Sequence, residues 1–130
     1  MTRREARESL FKLVYQMSFK ASEDHNSLYS NAVSEGLFEE NEFIKNSYMG
    51  VLGNLDKIDT LICDNLKGWK LERISKISLA LLRVATYEIV FSDVPDTVAL
   101  NEAIELAKTY DNDKGPSFIN GVLNSVMKSK

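Results

Sequence analysis

The chain has 130 residues, 44% of them apolar and 27% charged, with a formal net charge of −3. That length suits one domain burying roughly two thirds of its unfolded-chain surface, the apolar share excludes disorder over the whole chain, and the negative balance excludes coating of nucleic acid by the entire surface. No apolar run approaches the ~20 residues that span a bilayer, no signal-peptide pattern opens the chain, and the lone Cys63 excludes an internal disulfide framework, so a cytoplasmic protein is expected.

The first expected helix runs over Thr2–Phe19. Thr2-Arg3-Arg4-Glu5 has the form of a capping box, with a hydroxyl for the third helical amide and a carboxylate reaching back. At ~100° per residue, Ala6, Leu10, Leu13, Val14 and Met17 share a face suited to burial. Arg3, Arg4, Arg7, Phe11 and Tyr15 occupy the adjoining arc, and Glu5, Glu8, Lys12 and Gln16 the far side. Guanidinium groups beside rings suit phosphate contact and base stacking. The same arc also reads as a solvated face, the commoner fate of a charge run. Charge distribution sharpens the choice without closing it. Residues 1–20 carry five cations against two acids, residues 21–70 four against nine, and residues 71–130 seven against eight. A small basic patch on an acidic body favours one specific site over indiscriminate binding.

Residues 21–27 are polar and read as a loop; His25 within it is the only histidine and reads as solvated. A short helix through Leu28, Tyr29, Ala32 and Val33 should stop near Gly36. From Glu39 to Asn65 the apolar positions Phe43, Val51, Leu55, Ile58 and Ile62 keep helical spacing, which predicts one long central helix. Gly50-Val51-Leu52-Gly53 has the letters of a KH clamp loop but lacks basic neighbours, so both glycines are read as sites of close helix packing. Cys63, beside Ile62, is read as a buried thiol.

Gly68-Trp69-Lys70 ends that helix, Leu71–Ile74 makes a short turn, and Ser75 should cap a helix that is apolar around most of its circumference and therefore buried. Arg83 and Glu88 inside it need partners or an exit to the surface, because an unpaired buried charge is costly. Pro95 marks the next boundary. A helix from Val98 to Tyr110 follows, then a turn at Asp111–Gly115, then a last helix starting at Pro116 or Ser117 with Phe118, Ile119, Val122, Leu123 and Val126 facing inward. Gly121 in its middle is read as permitting close helix contact. No strand-like alternation occurs, so the fold class is all-α.

Val94-Pro95-Asp96-Thr97-Val98-Ala99-Leu100-Asn101-Glu102-Ala103-Ile104-Glu105-Leu106-Ala107-Lys108, with Phe118-Ile119-Asn120-Gly121-Val122-Leu123, resembles the C-terminal signature of the NusB family. Arg3–Glu8 resembles that family's arginine-rich start, and Leu82–Glu88 is similar to its central helix. The resemblance covers essentially the whole chain in order. It implies a single all-helical domain of about seven helices in two packed subdomains, about 1–68 and 69–130. It also implies a non-enzymatic transcription antitermination factor, without cofactor or metal, that binds boxA RNA of nascent transcripts, notably ribosomal RNA. The implied partners are NusE, a small-subunit ribosomal protein, and RNA polymerase with the other Nus factors; self-association as a homodimer also occurs among relatives. Carried over by position, Arg3, Arg4, Arg7, Lys114, Ser117 and Phe118 correspond to RNA-contacting residues, and Phe11, Tyr15 and Ser78 fall where the family meets NusE. Glu5 interrupts a run that is often denser in arginine, and Ser78 stands where many members carry an acid. Asn101 and Glu102 are read as structural.

Two other readings compete. One is a helical protein–protein scaffold with no direct RNA role. The other is the related RNA-binding appendage of an RNA cytosine methyltransferase, for which a chain ending at Lys130 leaves no catalytic domain. An independent enzyme is disfavoured, because no Gly-rich phosphate loop, metal-ligand cluster or histidine beside a nucleophile is present.

Overall fold

In the computed structural model, which describes residues 1–130, the first helix begins where its capping box predicts. Thr2 caps α1 (Arg3–Met17): its hydroxyl accepts from the Glu5 amide, and Glu5 accepts from the Thr2 amide at 2.7 Å. Hydrogen bonding with Thr2, first from its amide, and then the nearby N-terminal charge hold the Glu5 carboxyl below its ordinary range. Ala6, Leu10, Leu13, Val14 and Met17 are all buried, as their spacing requires. Burying such a side chain stabilises the fold by roughly 1.5–3 kcal/mol.

The polar segment after α1 forms a 3-10 helix (Ser22–Ser27) leading into α2 (Leu28–Ser34). Gly36 takes φ +76° and ends α2: its amide donates to the Val33 carbonyl, and the Leu37 amide donates to Ala32. That pair of bonds is a Schellman stop, and the left-handed residue it needs is naturally glycine.

The long helix expected over 39–65 is instead two, α3 (Glu42–Gly53) and α4 (Leu55–Asp64). Asn54 divides them with φ −120° and ψ 17°, and its side-chain amide donates to the Gly50 carbonyl at 2.8 Å. Asparagine competes for backbone groups in this way, a local preference that apolar periodicity does not register. Of the two glycines, only Gly50 is a close-packing site, since a Cβ there would run into the Tyr87 ring; Gly53 has open space around it. Gly121 is likewise open, against expectation. Cys63 is exposed rather than buried. The buried line of α4 runs through Ile58 and Ile62, and the next residue along a helix turns ~100° away from it.

After Gly68 (φ +80°) a 3-10 turn (Leu71–Arg73) precedes α5 (Lys76–Phe91), capped by the Ser75 hydroxyl, which accepts from the Ser78 amide at 3.0 Å. α6 (Asp96–Tyr110) and α7 (Gly115–Ser129) complete the chain, with no β-strand. α5 is central and packs against α1, α3, α4, α6 and α7, which is why it is apolar nearly all round. One contiguous cluster of 30 buried apolar side chains draws on all seven helices. The charges inside α5 are partnered. Arg83 makes a two-pronged pair with Asp59 of α4 at 2.8 Å, and Glu88 pairs with Arg7 of α1.

Candidate nucleic-acid interface

The first two turns of α1 divide its three arginines among three different environments. Arg3 is exposed, with its guanidinium carbon 4.0 Å from the centre of the Phe43 ring on α3, a cation–π contact that leaves the outer donors in solvent. Arg4 points toward α6, where it meets Glu102 through two bonds of 3.2 Å; its side chain is 70% exposed while that of Glu102 is 17% exposed. Arg7 is 5% exposed and spends its guanidinium on Glu88, through three bonds of 2.9–3.1 Å. Burial pushes the Glu88 carboxyl above its ordinary value, and Arg7 opposes that rise.

The expected surface arc is therefore narrower than the sequence suggests. Arg7 lies between α1 and α5, not on an open face. Phe11 is also withdrawn: it is 3% exposed and its ring centre lies 5.2 Å from that of Tyr110. It cannot offer an exposed contact to a partner protein. Tyr15 is half-buried and stacks edge-on with Phe19 at 5.1 Å, and Phe19 is exposed. Ser78 is 5% exposed and donates its hydroxyl to Asp111, so it forms part of a packed junction rather than a free face.

The second set of residues surrounds the start of α7. Asp111 accepts from the Asn112 amide, and the Asn112 side chain accepts from the Lys114 amide, both at 2.9 Å, which fixes the turn that delivers the chain into α7. Gly115 is required there, because a Cβ would overlap the Asp111 carboxyl group. Lys114 and Phe118 then line one cleft of about 210 Å³ together with Trp69, Arg73 and Ser78. Ser117 is exposed on the same helix but does not line the cleft.

α6 links the two sets. Glu102 takes Arg4, and further along α6 the Tyr110 hydroxyl donates to Glu8 at 2.6 Å, which pushes the phenol above its ordinary pKa. Tyr110 runs directly into the Asp111–Lys114 turn, and Lys12 of α1 lies 5.8 Å from its ring. Arg3 and Arg4 thus stand at one end of this connection and Lys114 and Phe118 at the other. Sequence reasoning missed Trp69, Arg73 and Phe43 as parts of these surfaces. A signal for the first two was present in Lys67-Gly68-Trp69-Lys70 followed by Arg73, an aromatic among cations in a turn.

An all-helical domain with exposed cations beside aromatic rings has the surface chemistry of helical nucleic-acid-binding modules. The profile of the NusB family matches residues 4–128, and the chain belongs to that family. It is similar to the transcription antitermination protein NusB of Clostridium perfringens, with 46% identity over 133 residues covering 99% of this chain and 98% of that protein. Among solved structures it is similar to T. maritima NusB, with 34% identity, a TM-score of 0.88, and coverage of 98% and 92%. A chain in the structure of antitermination factors NusB and NusE in complex with dsRNA shares the fold at 22% identity and a TM-score of 0.85, over 98% of this chain and 97% of that one.

Proposed function

We propose that this chain is a bacterial transcription antitermination factor that acts in the cytoplasm without catalysis. It binds the boxA element of nascent RNA together with NusE and joins the antitermination complex on RNA polymerase. The observation that carries the reading is the end-to-end relationship to curated antitermination proteins, at 46% identity over 99% of the chain. The structure of NusB and NusE with dsRNA supports the choice of partners through the shared fold and family.

Arg3 and Arg4 hold phosphates, Lys114 holds another at the far end, and Phe118 meets a base, with Ser117 beside it at the start of α7. The exposure of Arg3, Arg4 and Lys114 supports this division. Single-stranded RNA suits it, since unstacked bases are read on rings while cations hold the backbone. Arg7 is a positioning residue: its pair with Glu88 fixes the start of α1 against α5. Tyr15 of α1, with the exposed Phe19 just beyond the helix, faces NusE, and Phe11, whose ring centre lies 6.4 Å from that of Tyr15, supports that region from beneath.

The test is fluorescence anisotropy of labelled boxA RNA against a scrambled strand, with and without NusE. Tighter binding of boxA than of the scrambled strand, increased by NusE, is the expected result. Equal binding of both strands under all conditions contradicts the reading and favours a scaffold.

A further inference from the structure

Trp69 is the only tryptophan in the chain, and it is 56% exposed on a turn next to the start of α7. An exposed indole presents a flat apolar face to solvent, and here it stands beside a second ring. Its ring centre lies 5.9 Å from that of Phe118 with 65° between the planes, which makes a corner of two aromatic walls. The floor of the corner is closed by Ile74 and by Ser78, both buried. Arg73 and Lys114 stand at its margin, and no acidic side chain is among the lining residues. Asp111, next to the lining residue Asn112, is engaged by the Ser78 hydroxyl and the Asn112 amide. At about 210 Å³ the cleft is smaller than the ~300–1,000 Å³ of drug-sized ligand sites. It has room for one planar ring system.

We infer that this cleft is a single-base slot: one unstacked RNA base lies against the open face of Trp69 in the corner closed by Phe118, and Arg73 and Lys114 hold the phosphates on either side of it. The inference rests on the RNA-binding reading above and adds two residues to it, Trp69 and Arg73. Aromatic walls give stacking that tolerates any base, because every base presents a π face. The flanking cations then select a strand whose backbone can splay one base inward, a requirement that duplex RNA does not meet. A hydrophobic side chain of a protein partner would use the two rings but would leave both cations without a counter-charge. RNA is therefore the better occupant.

The lone tryptophan supplies a direct readout. In the full chain without NusE, titration with boxA RNA is followed in parallel by anisotropy of a label on the RNA and by intrinsic fluorescence of Trp69. Stacking should quench the indole emission along the same binding curve. Trp69→Ala should weaken RNA binding roughly 5- to 150-fold, the range for losing one stacked base, while Trp69→Phe retains most of it. Arg73→Ala should make the log–log salt slope shallower by about 0.7, one single-strand phosphate. Unchanged emission and unchanged Trp69→Ala affinity, while anisotropy still reports boxA binding, would overturn the slot and leave the RNA-binding reading standing. Absence of any boxA binding by anisotropy overturns both. In a parallel titration with NusE, loss of NusE binding with intact RNA binding in Trp69→Ala assigns the cleft to a protein and also overturns the slot.

Discussion

Arg7 of α1 and Glu88 of α5 form a buried two-pronged ion pair, with both side chains almost wholly removed from solvent and their atoms 2.9 Å apart at the closest. The residues are 81 positions apart in sequence. Their pairing fixes the depth and rotation at which the first helix docks on the central one, and so determines where Arg3 and Arg4 emerge.

Breaking that pair from one side leaves an uncompensated charge in the interior. Arg7→Met is expected to destabilise the fold by about 3–5 kcal/mol at neutral pH. The deficit should depend on pH in a definite direction. Burial already raises the Glu88 carboxyl, and removing Arg7 removes the group that holds it down. The folded variant then keeps a proton on Glu88 that the unfolded chain releases at its lower, ordinary value. This stabilisation is full below the unfolded value and is lost as pH rises through the folded one. Urea unfolding of wild type and Arg7→Met at pH 5 and pH 8 should give a smaller difference at pH 5. A difference that grows toward acid contradicts this assignment.

Glu102 competes with phosphate for Arg4. The pair is largely open to solvent on the arginine side, so its own contribution is modest. Glu102→Gln is expected to tighten boxA binding by roughly 1.5- to 5-fold, since Arg4 no longer has to leave a carboxylate. In the Arg4→Ala background the same substitution should have no effect. Tightening that survives without Arg4 would show that Glu102 acts by general repulsion instead.

Two glycines on α7 should respond oppositely to alanine. Gly115→Ala drives a Cβ into the Asp111 carboxyl, which must leave Ser78, and about 1–3 kcal/mol of stability should be lost. Gly121 has open space, so Gly121→Ala should stabilise by ~1 kcal/mol through helix propensity. Chemical denaturation of both variants checks the contrast; a loss at Gly121 would reveal a close contact there after all.

The two glycines also show where the sequence was legible. Helix existence and the core stripe of α1 followed from spacing, because an amphipathic helix announces its buried face every three to four residues. The Thr2 and Ser75 caps were readable for the same local reason. What spacing could not supply was the neighbour. Arg7 sits next to Ala6 at the edge of the buried stripe, and only the arrival of Glu88 from α5 decides that it turns inward. Phe11 is likewise claimed by Tyr110 from the far end of α6. Gly53 and Gly121 carry the letters of packing glycines but meet nothing, whereas Gly50 faces Tyr87. The break at Asn54 was missed because apolar periodicity continues across it while the backbone does not. In the site, the positions carried over by resemblance included residues that the fold uses internally. Trp69 and Arg73 went unread because a turn has no periodicity to mark its exposed face.

The most direct test of RNA binding through the α1 and α7 surfaces is the salt dependence of boxA affinity for wild type and for Arg3→Ala/Arg4→Ala/Lys114→Ala. All three cations are exposed, so the triple variant should fold as the wild type does. The four cations assigned to phosphates, Arg3, Arg4, Arg73 and Lys114, should give the wild type a log–log slope of about −3, at ~0.7 per phosphate. The variant keeps Arg73, so it should bind more weakly, with a slope reduced to about −0.7 and an unchanged far-ultraviolet circular dichroism spectrum. A variant with the wild-type slope would place the RNA on some other face of the molecule.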